Sequence, residues 1–177
     1  LQDGLEVYLD TYLDSSLTVG TTISSGAIND LTVSSVNGTG NTVVGNAAGT
    51  TLGAGAQYNV LVGLNAGDAI STGDRNIGIG KDAIGLLSTT ADNVAIGYQA
   101  GDALTTGSTN VAIGSDALGA AQTTTNCVAI GHNALLLNTA NSLVAIGSLA
   151  LDANTTGIQN LALGYSTLSA NQTGNYN

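Results

Sequence analysis

One five-residue phrase recurs along this chain and limits what it can fold into. It reads Asn-Val-Ala-Ile-Gly at 93–97 and again at 110–114. Variants close on Gly45, Gly63, Gly80, Gly131, Gly147 and Gly164, so the eight closing glycines lie 18, 17, 17, 17, 17, 16 and 17 residues apart. A period this short, held over eight copies, predicts stacked coils rather than one rounded core.

A helical repeat fits poorly. The apolar phrase is too short, glycine recurs too often, and the linking segments carry turn residues. Coils of parallel β-strand fit well. Equivalent residues then lie above one another at about 4.8 Å per coil, giving a rod on the order of 40 Å long for eight coils. The column three places after each glycine holds Ala48, Ala66, Ala83, Ala100, Ala117, Ala134, Ala150 and Thr167. Each repeat is expected to contain a strand, a tight turn at glycine, a second short strand or bend, and a turn such as Thr105-Thr106-Gly107.

In a strand, alternate residues face opposite ways. The larger aliphatic residues share one parity: Val44, Val62, Ile79, Val94, Ile96, Val111, Ile113, Val128, Ile130, Val144, Ile146, Leu161 and Leu163. They are expected to fill the inside of each coil. Between them stand Gly78, Ala95, Ala112, Ala129, Ala145 and Ala162. Small apolar residues on the second face imply that it too is covered, and they are assigned as an interchain face. Few large side chains per coil must offset the ordering of about 17 residues, each costing roughly 1.5 kcal/mol. Packing several chains together is therefore expected, as a parallel homotrimer. The Asn column, Asn41, Asn59, Asn76, Asn93, Asn110 and Asn160, is expected to hydrogen-bond along the stack, with Cys127 and Leu143 interrupting it.

Composition narrows the function. Two basic residues, Arg75 and Lys81, stand against 12 acids, for a net charge of −10. Binding nucleic acid through its phosphates needs several basic side chains, so that class is rejected. So is attachment to an anionic membrane surface, and no apolar run reaches the ~20 residues of a membrane span. A lone cysteine allows no disulfide within the chain.

Residues 1–40 read as a connector of short strands, in which Leu17-Thr18-Val19 recurs as Leu31-Thr32-Val33. Residues 1–13 fit both a strand and a short-helix template. The array proper is placed at 41–177. It is expected to continue past 177, because a further copy of the phrase is due there.

The phrase, the following xxAL and the Thr-Thr-Gly turn resemble the head repeats of trimeric autotransporter adhesins such as the Yersinia adhesin head. They are more similar still to repeat arrays of bacteriophage and other viral tail fibres. The stretches that carry the likeness are Asn93–Gly107 and Leu143–Gly157, within an array covering about three quarters of the chain. The 17-residue period favours the fibre branch over the shorter adhesin repeat. The resemblance implies an all-β, left-handed parallel β-roll assembled as a homotrimer. It implies an extracellular place on a virion or, in the alternative, on a bacterial surface. The implied partners are other copies of the chain, other virion tail or fibre proteins, and a host receptor or glycan.

Chemical sites are mostly declined. His132 is the only histidine and reads as an exposed turn residue; with one His and one Cys, no zinc set can be assembled. Asp82 and Asp116 form one short column, and Asp68, Asp102 and Asp152 another; both read as surface solvation. No phosphate-loop motif occurs. No catalytic residue, cofactor or metal is assigned. Tyr98 and Tyr165 are taken as the exposed contact residues. An ice-binding solenoid is a remote alternative, because the threonines drift between positions (Thr89-Thr90, Thr105-Thr106, Thr123–Thr125). The expected function is a non-enzymatic, rigid fibre segment that contributes to host attachment, where weak sites repeated on several chains gain avidity.

Overall fold

The computed structural model describes residues 38–177. The connector expected at 1–40, with its ambiguous segment at 1–13, lies outside the described residues up to residue 37. Eight three-residue strands follow in order: β1 (Thr42–Val44), β2 (Val60–Val62), β3 (Ile77–Ile79), β4 (Val94–Ile96), β5 (Val111–Ile113), β6 (Val128–Ile130), β7 (Val144–Ile146) and β8 (Leu161–Leu163). They form one parallel sheet in chain order. This is a parallel β-solenoid with coils of about 17 residues and, among the described residues, no helix.

The register is unshifted from coil to coil. Val94 lies against Val111, Ala95 against Ala112 and Ile96 against Ile113. The Val94 N–H donates to the Asn110 carbonyl at 2.8 Å, and the Gly97 N–H donates to the Ile79 carbonyl at 2.8 Å. Since a one-residue slip turns every side chain to the other face, the strict period carries the same faces through the whole stack.

Past each closing glycine the chain turns; of the second short strand or bend expected there, it forms the bend and not the strand. Residues 98–103 are turn, with left-handed backbone at Gln99 (φ 52°) and Gly101 (φ 59°). The closing glycines have a stricter reason. Gly97 has φ +136°, and a Cβ there would lie 2.6 Å from the carbonyl oxygen of Gly114 in the next coil. Only glycine meets both conditions.

The faces of the strand are the reverse of those expected. Ala95, Ala112, Ala129, Ala145 and Ala162 are at most 1% exposed, and Gly78 is buried with them; they form the inside of the coil, not an interchain face. The columns that hold Val44, Val62, Val94, Ile96, Val111, Ile113, Val128, Ile130, Val144 and Ile146 point outward and are half-buried, while Ile79, Leu161 and Leu163 are exposed. The cause lies one residue earlier. Asn59, Asn76, Asn93 and Asn110 are buried. Asparagine and alanine share a parity, so burying the asparagines turns the larger aliphatics out.

Burial of the asparagines is favourable because each is fully bonded. Asn93 Nδ2 donates to Asn76 Oδ1 at 3.1 Å and to the Gly107 carbonyl at 3.0 Å. Its Oδ1 in turn accepts the N–H and Nδ2 of Asn110. A buried amide so satisfied escapes the penalty of an unpaired polar group.

The interior is thin, and its packing is a matching of sizes. Where the middle strand residue is large, glycine faces it: a Cβ on Gly67 would lie 2.5 Å from Leu61 Cδ2. Where the strand residue is Gly78, the facing residue is Ile84, whose Cγ1 lies 2.7 Å from where a Cβ would be. Leu118, Leu135 and Leu151 fill the same facing column in the later coils, fully buried in the core that also holds the alanines. Their left-handed backbone, φ 51–52°, is unusual for a non-glycine residue; this core needs their volume.

Candidate functional site

The outward face of the sheet is a uniform aliphatic surface. Two columns run along it, one starting at Thr42 and the other at Val44; every member except Thr42 is Val, Ile or Leu. Strands rise about 4.8 Å apart, so the face is on the order of 35 Å long. Sheets with all strands parallel are ordinarily covered on both sides. Here the inner side is covered by the coil's own turn segment, and the outer side presents aliphatic carbon to solvent.

Tyrosines border this face at both ends of the strands. Tyr98 and Tyr165 each follow a closing glycine and are 47% and 75% exposed; Tyr58 precedes β2 and is 58% exposed, and Tyr176, at the equivalent position of the last coil, is 75% exposed. The Lys81 ammonium lies 5.2 Å from the Tyr98 ring centroid, within the range of a cation–π contact. Tyr98 and Tyr165 thus have the exposure expected of contact residues.

Both basic side chains are engaged. Arg75 Nε and Nη2 donate to the two carboxylate oxygens of Asp92 at 2.7 and 3.0 Å. This bond, and then the charge, holds Asp92 below the usual carboxylate range and raises Arg75. Lys81 is paired with Asp82, which also accepts a 2.8 Å bond from Asn65 Nδ2. These bonds hold the Asp82 carboxyl low.

Asp102 behaves oppositely. Burial first, and then the charges of Asp82 and Asp68, push its carboxyl up. Asp68 and Asp102 are two coils apart, and both lean over Gly85, where a Cβ would lie 2.6 Å from Asp102 Oδ1 and 3.6 Å from Asp68 Oδ1. Among the described residues, no group of three or more His, Cys, Asp or Glu is placed to hold a metal ion. Cys127 is fully buried in the asparagine column. Burial raises its thiol. His132 is exposed.

Compared with family models, with curated proteins and with solved structures, the chain has no match in any of the three.

Two features escaped the reading of the sequence. One is the parity of the strand, for which the recurring Asn was the available signal. The other is the order of the threonines. Thr72, Thr89, Thr106 and Thr123 are spaced by the coil period and occupy one exposed column, joined later by Thr156 and Thr173. Aligning the repeats on the glycine would have shown it.

Proposed function

We propose that the chain is a rigid segment of an extracellular fibre, assembled from three parallel copies about a common axis parallel to the solenoid, with the outward Val/Ile face turned toward the other copies. In this reading the coils are left-handed, the fibre belongs to a phage or other viral tail, and it contributes to host attachment without catalysis. The supporting observation is the aliphatic face itself. Fifteen aliphatic side chains in two straight columns are what a second copy of the same surface covers well. A rotation about an axis parallel to the stack and outside it keeps equivalent coils at the same height, so Val and Ile columns meet along their full length. Burying each such side chain contributes roughly 1.5–3 kcal/mol when burial is complete.

The buried alanines leave no role for the alanine face between chains, and the interface moves to the opposite side of the strand. Exposed Tyr98 and Tyr165 then lie at the border between copies. There they offer repeated weak contacts to a receptor or glycan. Sedimentation of the purified chain should give three times its 17.3 kDa mass. Substituting Ile96→Asp together with Ile113→Asp should convert it to a folded monomer. A wild-type chain that sediments as a stable monomer would overturn the assembly and, with it, the fibre reading.

A further inference from the structure

The threonine column is a second ordered surface, away from the sheet face. Thr72, Thr89, Thr106, Thr123, Thr156 and Thr173 are all exposed. Among the described residues, none of their hydroxyls makes a hydrogen bond. Their neighbours one residue earlier differ: Ser71, Thr105 and Thr155 donate their hydroxyls to carbonyls of the next coil at 3.0–3.2 Å. The backbone at this corner is tightly held. The N–H groups of Thr105 and Thr106 both donate to the Gln122 carbonyl, at 2.9 and 3.3 Å. The free hydroxyls are therefore carried on a fixed frame, at the coil spacing of about 4.8 Å, by side chains stiff at χ1. One position is missing, because the coil from Cys127 to Ser142 has 16 residues and skips it.

A second observation concerns charge. The segments 69–73, 86–90, 103–107, 120–124, 137–140, 153–157 and 170–174 contain no charged residue, in a chain of net charge −10. They form a continuous strip of Thr, Ser, Ala, Gly and other uncharged residues, with the free hydroxyl row running through it.

Each exposed threonine offers one donor, two lone pairs and a methyl group. A single such contact is weak in water, because water competes for it. A row gains only against a partner that is itself rigid and periodic, since a flexible ligand loses conformational freedom when ordered against it. The partner must also tolerate an uncharged surface; ionised side chains hold their own hydration water strongly and disrupt an ordered water layer. We propose that this strip binds the surface of ice, with the threonine hydroxyls and methyls ordering the adjoining water. The proposal does not depend on the number of chains in the assembly.

The full chain is tested by its partition into a slowly grown ice front and by its effect on ice-grain growth. Wild type is expected to concentrate in the ice and to slow grain growth. The row variant Thr89→Lys, Thr106→Lys, Thr123→Lys should be excluded several-fold. A control with equal added charge outside the strip, Thr109→Lys with Asn126→Lys and Gln159→Lys, all at exposed positions, should partition as wild type does. Circular dichroism checks folding, and Thr106→Tyr, which blocks the row without charge, must weaken partition if the lysine set fails to fold. Exclusion of wild type from ice overturns the proposal, as does equal partition of row variant and control. If the row variant loses binding to soluble polysaccharides while its ice partition is unchanged, the row is a glycan site and the proposal fails.

Discussion

Asn110 donates its side-chain Nδ2 and its backbone N–H to the single Oδ1 of Asn93, both at 3.1 Å. The same bond pair joins Asn76 to Asn59 and Asn93 to Asn76. The series breaks where Cys127 and Leu143 replace asparagine. There a second buried series begins: Asn154 Nδ2 donates to Asn138 Oδ1 at 2.9 Å, and Asn171 Nδ2 to Asn154 Oδ1 at 3.1 Å. The two series serve the same carbonyls. Asn93 reaches Gly107 from the strand, whereas in the coil that begins with Leu143 it is Asn154 that reaches the equivalent Gly157 at 3.0 Å.

Exchange between the two series can be tested directly. Asn93→Leu leaves the Gly107 carbonyl and the Asn110 N–H buried without partners, and should cost about 2–4 kcal/mol in denaturant unfolding. Adding Leu104→Asn reproduces the arrangement of the Leu143 coil and supplies the Gly107 carbonyl again. The double variant should be more stable than the sum of the singles by about 1 kcal/mol or more. Strict additivity would show that the second series does not substitute for the first.

Glycines in this chain are not equivalent, and two alanine substitutions should separate them. Gly97→Ala places a Cβ against the backbone of the next coil at a φ of +136°. Such backbone strain costs of order 1–3 kcal/mol before the clash is relieved, so a clear drop in melting temperature is expected. Gly85 has no left-handed backbone, and its nearest obstacle is the Asp102 carboxylate, a side chain that can swing away. Gly85→Ala should lie within about 1 kcal/mol of wild type. Equal losses at the two sites would contradict the stacked-glycine account.

The repeat made the solenoid legible. Period, glycine turns and, among the described residues, the absence of helix all followed from the spacing of Gly45 to Gly164, because a regular backbone shows its period directly. Which face is inside did not follow. Hydrophobicity alone places Val94 and Ile96 in the core ahead of Asn93 and Ala95, yet the structure does the opposite. The deciding quantities were side-chain volume and hydrogen-bond satisfaction. A thin interior already holding Leu104 and Gly101 has room for alanine, and stacked asparagines satisfy one another. Neither is visible until adjacent coils are superposed; the threonine row, by contrast, lies nine residues after the closing glycine of its coil and was legible in the aligned repeats.

Cys127 offers a reporter of this packing. It is fully buried, its thiol is raised by burial, and its Sγ lies 3.4 Å from the Ala140 carbonyl. A thiol both protonated and covered is a poor nucleophile. Labelling with a thiol reagent at neutral pH should be slow in the native protein and should rise with denaturant along the global unfolding curve. Rapid labelling without denaturant would mean that the coil at Cys127 opens locally.

Asp102 gives a dependence on pH with a definite sign. Its carboxyl is raised by burial and by the nearby Asp82 and Asp68, so its ionised form is disfavoured in the folded chain relative to the unfolded one. That penalty is present at neutral pH and is relieved as pH falls through the folded-state value and the group takes up a proton. Asp102→Asn removes the charge at every pH. The variant should therefore be more stable than wild type at pH 7, by a margin of up to about 1 kcal/mol given its partial exposure, and the margin should shrink on acidification. Asp82 and Asp92 have the opposite sign. Both are held low by their basic partners, so they support the fold above the unfolded carboxylate range and lose that support as pH falls. Melting curves of wild type and Asp102→Asn between pH 3 and pH 7 isolate the first effect, since the other two acids are common to both proteins. A stability difference that stays constant across that range would show that Asp102 is not under electrostatic strain in the folded coil.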